Sequence, residues 1–256
     1  MENSINIMTK RLEQILEGKE PSIYLFGSVV LDDYRHGWSD IDIVCFTKEP
    51  ISKQQADQLV MLRQTLLSEY PGNSYFRHFE GVIGSRDVLI RHEKDTVVYW
   101  GTSGQRILDS FTIDVFSMIE IIKYAKLLSG TDIRALMQVP QRADIRNAVM
   151  QHYQTIRSFA VKTNDSFYSA GWFLDIARCL YSLEKQDVIS KTQAGIWALN
   201  LGVVPEPEYL KTTIMIRENP GLYQNDKAIS EWFCSLGPHI QLFADVLQVA
   251  LEKTAK

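Results

Sequence analysis

The chain has 256 residues, 45% of them hydrophobic and 23% charged, and its 27 Lys and Arg against 31 Asp and Glu leave a net charge of -4. That length and apolar content can bury one large core or two modest ones, and length alone slightly favours two. The acidic balance and the lack of a Lys/Arg cluster argue against a protein that coats nucleic acid while suiting a cationic small-molecule partner, and no apolar run is long enough to span a bilayer.

The first stretch, MENSINIMTKRLEQ, is polar and amphipathic rather than a secretory leader, so the expected compartment is the cytoplasm. Ile5, Met8, Leu12 and Ile15 recur at helical spacing and predict a helix that stops at Gly18. Ser22 to Phe26, SIYLF, reads as a buried strand ending abruptly at Gly27. Glycine there lets a backbone approach a phosphate closely, and Ser28 with the following amides offers donors at a predicted helix N-terminus. Then comes Ser39-Asp40-Ile41-Asp42. A strand has a side-chain period of two, so Asp40 and Asp42 project from one face and Ile41 and Ile43 from the other. Paired carboxylates repel unless a cation lies between them, and hard oxygen ligands in this arrangement suit Mg²⁺ held jointly with substrate phosphates. Ser39 can hydrogen-bond either the turn itself or a phosphate oxygen.

Further along, Ser52-Lys53-Gln54-Gln55 has the form of a capping box, opening a helix with Ala56, Leu59, Leu62 and Leu66 as its inner stripe and ending near Pro71-Gly72. Tyr75 to Ile83 has strand character, and Val88 to Ile90 and Val97 to Trp100 are expected to add edge strands. Glu80 stands in the first of these segments among apolar and aromatic neighbours, where an unpaired carboxylate is costly. It can serve as a third metal ligand or as general base for an acceptor hydroxyl, and the base is the favoured reading; Asp87 is the second candidate. Beyond Thr112, Val115, Ile119, Ile122, Ala125 and Leu128 predict one helix closed by Gly130, and helical periodicity continues to Leu251 with breaks at Gly202, Pro205 and Pro220-Gly221. The architecture expected is α+β: a small mixed sheet with flanking helices over residues 1–110, then a helical bundle over 111–256. Cys45, Cys179 and Cys234 are widely spaced in apolar surroundings and read as reduced core or half-buried thiols, and neither they nor the five histidines show metal-ligand spacing.

Gly27-Ser28 after an apolar strand, followed by Ser39-Asp40-Ile41-Asp42, resembles the signature of the DNA polymerase β nucleotidyltransferase superfamily. In the helical half, GWFLDIARCLYSLEKQDVISKTQAGIWAL is similar to the C-terminal domain of the aminoglycoside adenylyltransferases that modify streptomycin and spectinomycin. The residues that match are Leu174, Ala177, Arg178, Ser190, Lys191, Ala194, Trp197 and Ala198. The resemblance implies Mg²⁺-dependent transfer of AMP from ATP to a hydroxyl of an aminoglycoside or aminocyclitol, in the cleft between two domains. It makes Asp40 and Asp42 metal ligands and Glu80 the base, and sets Gly27, Ser28, Ser39 and Lys191 at the nucleotide. A lysine in the first turn of a helix is unfavourable for the helix dipole, which fits an anion near Lys191. Trp172 and Asp175 lie near where the family binds its drug and offer a flat face and a carboxylate to a cation.

The chain departs from the family in two places. The resistance enzymes follow the base with a continuous apolar run and then a long aromatic, basic loop, whereas here Glu80 precedes Gly81 and the segment from Arg86 to Trp100 is shorter and differently composed. The acceptor therefore stays open to a lincosamide, a protein side chain or tRNA, the last disfavoured by low basic content. A decayed nucleotide-binding regulatory module is the non-enzymatic alternative, against which the joint presence of Asp40, Asp42 and Glu80 argues.

Overall fold

The structure is a computed structural model that describes residues 1–101 and 104–254. It comprises two compact units: Met1–Val30 with Asp40–Val139, and Leu31–Ser39 with the chain from Pro140 onward. The first unit contains α1 (Glu2–Ile15), β1 (Ser22–Phe26), a 3₁₀ turn (Gly27–Val29), β2 (Ile41–Thr47), α2 (Lys53–Glu69), a second 3₁₀ turn (Ser74–Arg77), β3 (Phe79–Ser85), α3 (Arg86–Ile90), β4 (Val97–Gly101), β5 (Gly104–Leu108), α4 (Val115–Lys123) and β6 (Lys126–Ser129). Its sheet runs β5-β4-β3-β2-β1-β6 and is mixed, with β2 and β3 parallel and the other neighbours antiparallel.

Period-two alternation builds both faces of this sheet. Tyr24, Val44, Phe46 and Val82 enter a core that includes Ile113 and Ile121, from the approach to α4 and from α4 itself. α2 has the expected capping box, Ser52 Oγ accepting the Gln55 N–H and the Gln55 side chain accepting the Ser52 N–H, and it buries the expected stripe of Ala56, Leu59, Leu62 and Leu66. Trp100 Nε1 donates to the Leu59 carbonyl at 3.0 Å, tying α2 to β4.

Four local expectations are corrected. Val88 to Ile90 belongs to α3 rather than to an edge strand, because Ser85 caps the turn by accepting the Val88 N–H while Val88 and Leu89 are buried. The segment before Phe79 is a 3₁₀ turn, so β3 begins later than its aromatic residues suggest. Val97 to Trp100 lies inside the sheet, because Gly104–Leu108 adds β5 outside it. The helix from Val115 stops at Lys123, and Lys126–Ser129 pairs with β1 as β6, with Leu127 opposite Tyr24. A short apolar run satisfies either period, and the unpaired edge of β1 decides for strand.

The second unit is helical: α5 (Arg142–Phe159), α6 (Phe167–Lys185), α7 (Lys191–Leu201), α8 (Pro207–Glu218), the short α9 (Pro220–Tyr223), α10 (Lys227–Ser235) and α11 (Gly237–Lys253). α6 is its axis, packed against α5, α7, α8 and α11 and burying Ala170, Phe173, Leu174, Ile176 and Ala177. Among the described residues no helix is long and apolar enough to cross a membrane. Cys45 and Cys179 are buried free thiols, and desolvation pushes Cys179 up to about 12. Cys234 is exposed, where a core or half-buried thiol was expected.

Candidate active site

The first unit brings Gly27, Ser28, Asp40, Asp42 and Glu80 together. Gly27 has φ +70, and a Cβ there would lie 2.0 Å from Asp42 Oδ2, so the carboxylate rests against bare backbone that only glycine provides. Ser28 Oγ donates to the Asp40 carbonyl at 3.3 Å, fixing the chain as it enters β2. The amides after Gly27 form one 3₁₀ turn of three residues rather than the start of a longer helix. Asp42 lies opposite Phe26 on one side and in parallel register with Glu80 on the other. Register neighbours in a parallel pair share a face, so Asp42 and Glu80 stand side by side, while Ile41, Ile43 and Phe79 are buried on the opposite face. Gly81, the departure after Glu80, has φ +154, and a Cβ on it would meet the Ile43 carbonyl oxygen at 1.8 Å, so β3 admits no side chain there. Asp87 is instead on α3, where its Oδ1 pairs with Arg91 Nη1 at 2.7 Å.

Three half-buried carboxylates need a counter-charge, and Arg63 of α2 is near. Burial lowers the Arg63 pKa, and the charges of Glu80 and Asp40 oppose that shift. Its Nη2 donates to the Arg77 carbonyl at 2.7 Å, three residues before Glu80. The donor set fits Mg²⁺: carboxylate oxygens are hard ligands, and Gly27 clears the space that a side chain would take beside Asp42. Among the described residues no group of three or more His, Cys, Asp or Glu is disposed to cage a metal ion. A pair of ligands suits a cation that keeps waters and phosphate oxygens in its shell.

The second unit holds the remaining predicted residues. Ser39 is buried, and its hydroxyl accepts the Arg35 N–H at 3.0 Å, which leaves it engaged in its own turn. Lys191 opens α7 behind the cap Ser190, whose Oγ accepts from the Gln193 N–H. Lys191 Nζ lies 2.9 Å from Asp175 Oδ1 on α6, and Arg178 Nη2 lies 4.0 Å from the same oxygen. Burial alone would raise the Asp175 pKa, but Lys191 and Arg178, with His152 beyond them, outweigh it and leave the group below the usual carboxylate range. Trp172 is half-buried on α6, one turn ahead of Asp175.

Residues 6–78 match the nucleotidyltransferase domain family, and residues 134–209 match the C-terminal domain family of the aminoglycoside adenylyltransferases. The chain thus carries a nucleotidyltransferase domain followed by a match to the C-terminal domain of the aminoglycoside adenylyltransferases. No curated protein sequence matches it. Among solved structures, the crystal structure of spectinomycin adenyltransferase AAD(9) from Enterococcus faecialis with ATP and spectinomycin superposes with a TM-score of 0.68. The alignment covers 97% of this chain and 99% of that one at 16% identity, a likeness of fold.

Three features of this chain are not legible in its sequence. Arg63 follows Leu62 and lies one helical turn after Leu59, so a cation bordering the apolar stripe was its only signal. Arg178 was noted as a family match without a role. Asp33 and Arg217, 184 residues apart, form a buried ion pair at 2.9 Å that no local pattern announces.

Proposed function

We propose that this adenylyltransferase transfers AMP from ATP to a hydroxyl of an aminoglycoside or aminocyclitol, inactivating the antibiotic in the cytoplasm. The observation that carries the reading is Asp42, seated against Gly27 and in register with Glu80, in a chain that matches a nucleotidyltransferase domain and the aminoglycoside adenylyltransferase C-terminal domain. Spectinomycin, present with the structurally similar AAD(9), makes an aminocyclitol the first acceptor to try.

Asp40 and Asp42 are the residues that would hold Mg²⁺, which when bound neutralises charge on the phosphates and orients in-line attack. Gly27 exposes its backbone to a phosphate, Ser28 supplies a donor, and Ser39 acts through the turn it closes. Glu80 takes the proton of the acceptor hydroxyl as that oxygen bonds to the α-phosphorus, the bond to the bridging oxygen breaks, and pyrophosphate leaves. Arg63 offsets the repulsion among the carboxylates. In the ternary complex Lys191 and Asp175 exchange their mutual ion pair for a phosphate oxygen and a cationic group of the acceptor, with Trp172 offering a flat face beside Asp175.

The test is Mg²⁺-dependent pyrophosphate release over a panel of aminocyclitols, aminoglycosides and lincosamides, read by mass spectrometry for a covalently added AMP. Adenylylated spectinomycin or streptomycin is the expected product. Transfer only to a lincosamide or to protein would replace the acceptor, and ATP binding without transfer to any of them would favour a regulatory module.

A further inference from the structure

Outside the carboxylate cluster, Asp33 and Arg217 form a deeply enclosed ionic pair, each 2% exposed. Arg217, near the end of α8, donates from Nη2 to Asp33 Oδ2 at 2.9 Å and to the Asp33 carbonyl at 3.2 Å, and from Nε to Thr192 Oγ1 at 3.2 Å. The same Nη2 lies 3.5 Å from Ser39 Oγ. The Thr192 N–H, in the first turn of α7, donates to Asp33 Oδ2 at 3.2 Å. The guanidinium also lies 5.6 Å from the ring centroid of Trp38, whose indole packs on Phe167 at 5.1 Å. The turn is closed from within, the Trp38 and Ser39 N–H groups both donating to the Arg35 carbonyl. One arginine thus gathers Asp33, Trp38 and Ser39.

Stability alone is a poor reason for this arrangement. Buried ion pairs gain little over apolar replacements of similar volume, and this one is incompletely satisfied. Asp33 Oδ1 is buried without a hydrogen bond, its cation being Arg35 Nη2 at 3.7 Å. What the pair does secure is a single conformation for the segment from Asp33 to Ser39, which ends one peptide bond before Asp40.

We infer that Arg217 and Asp33 are positioning residues for the carboxylate of Asp40, fixing the turn that delivers it to the metal. The inference rests on the proposed role of Asp40 as a metal ligand.

Arg217→Lys keeps the charge and removes the planar fork, while Asp33→Asn keeps the shape and removes the charge. Thr192→Val deletes only the Nε acceptor at nearly constant volume and serves should the other two fail to fold. Binding of Mn²⁺ with a non-hydrolysable ATP analogue, followed by the enhancement of water-proton relaxation that arises when the Mn-nucleotide is held by the protein and is absent for the Mn-nucleotide alone, reads the metal site without an acceptor. Expected is a loss of roughly 10–100-fold in Mn²⁺ affinity for the variants at 217 and 33, and a smaller loss for Thr192→Val, all with parental circular dichroism. A lowered melting temperature with parental Mn²⁺ affinity in every folded variant would show a merely structural pair and overturn the inference. A parent that binds Mn²⁺ and nucleotide yet transfers to no acceptor refutes the acceptor assignment alone and leaves the affinity shift to decide. A parent that binds no Mn²⁺ refutes both.

Discussion

Gly27 shows how a single backbone position constrains the carboxylate packed against it. Its φ of +70 and the 2.0 Å approach that a methyl at this position would make to Asp42 Oδ2 are separate penalties, one on the fold and one on the carboxylate. The left-handed conformation costs a non-glycine residue about 1–2 kcal/mol. Displacing the carboxylate costs little stability, because a side-chain end can move, but it moves the proposed metal ligand with it. Gly27→Ala should therefore lose far more turnover than its small fall in melting temperature explains, and turnover within twofold of the parent would remove Asp42 from the metal. Glu80→Gln separates the two roles left open for Glu80. The amide keeps the shape but cannot take a proton, so turnover should fall roughly 10²–10⁴-fold while Mg-ATP binding by calorimetry stays parental. Loss of that binding would make Glu80 a ligand. These residues were legible in the sequence because Gly27-Ser28 and Ser39 to Asp42 are local patterns; Arg63 was not, since its relation to Glu80 and Asp40 arises only when α2 covers the sheet.

At the scale of elements, legibility follows how many local rules agree. α2 satisfies cap, stripe and stop together, and its predicted inner residues are the four that are buried. α3 and β6 were misread because each is short and apolar, and the deciding contacts are a serine cap in one case and pairing with β1 in the other. The same reasoning ranks α2 as an anchor of the sheet. Leu59 is fully buried and its carbonyl accepts from Trp100 Nε1, so truncating it opens a cavity where the neighbours are least able to collapse. Leu59→Ala should destabilise the first unit by about 2–5 kcal/mol in urea unfolding. A loss below about 1 kcal/mol would mean that α2 repacks freely.

For the whole molecule, charge is organised by long-range pairs that composition does not disclose. The net charge of -4 suggested a cationic partner, yet Asp175, the carboxylate assigned to that partner, is already matched to Lys191. Likewise Leu31–Ser39 belongs to the second unit because Asp33 meets Arg217 across 184 residues, a relation invisible to any window of sequence. The Asp175 pair has a measurable pH signature. Its folded pKa is lowered, burial being outweighed by Lys191 and Arg178, and the unfolded value is about 3.9. The sign follows from linkage: a carboxylate depressed in the folded state contributes stability that is complete above the unfolded pKa and is lost as pH falls through the folded one. Asp175→Asn abolishes that contribution at every pH. The variant should therefore be less stable than the parent at neutral pH, and the gap should close on acidification below about pH 4. Asp132, which Arg134 holds low by direct hydrogen bonds, titrates in both proteins and cancels in the difference. Urea midpoints of parent and variant at neutral pH and near pH 3 provide the measurement. A gap that stays constant across that range would mean that Asp175 draws no net stabilisation from its cations, and that Lys191 is free to serve a phosphate without first breaking a pair.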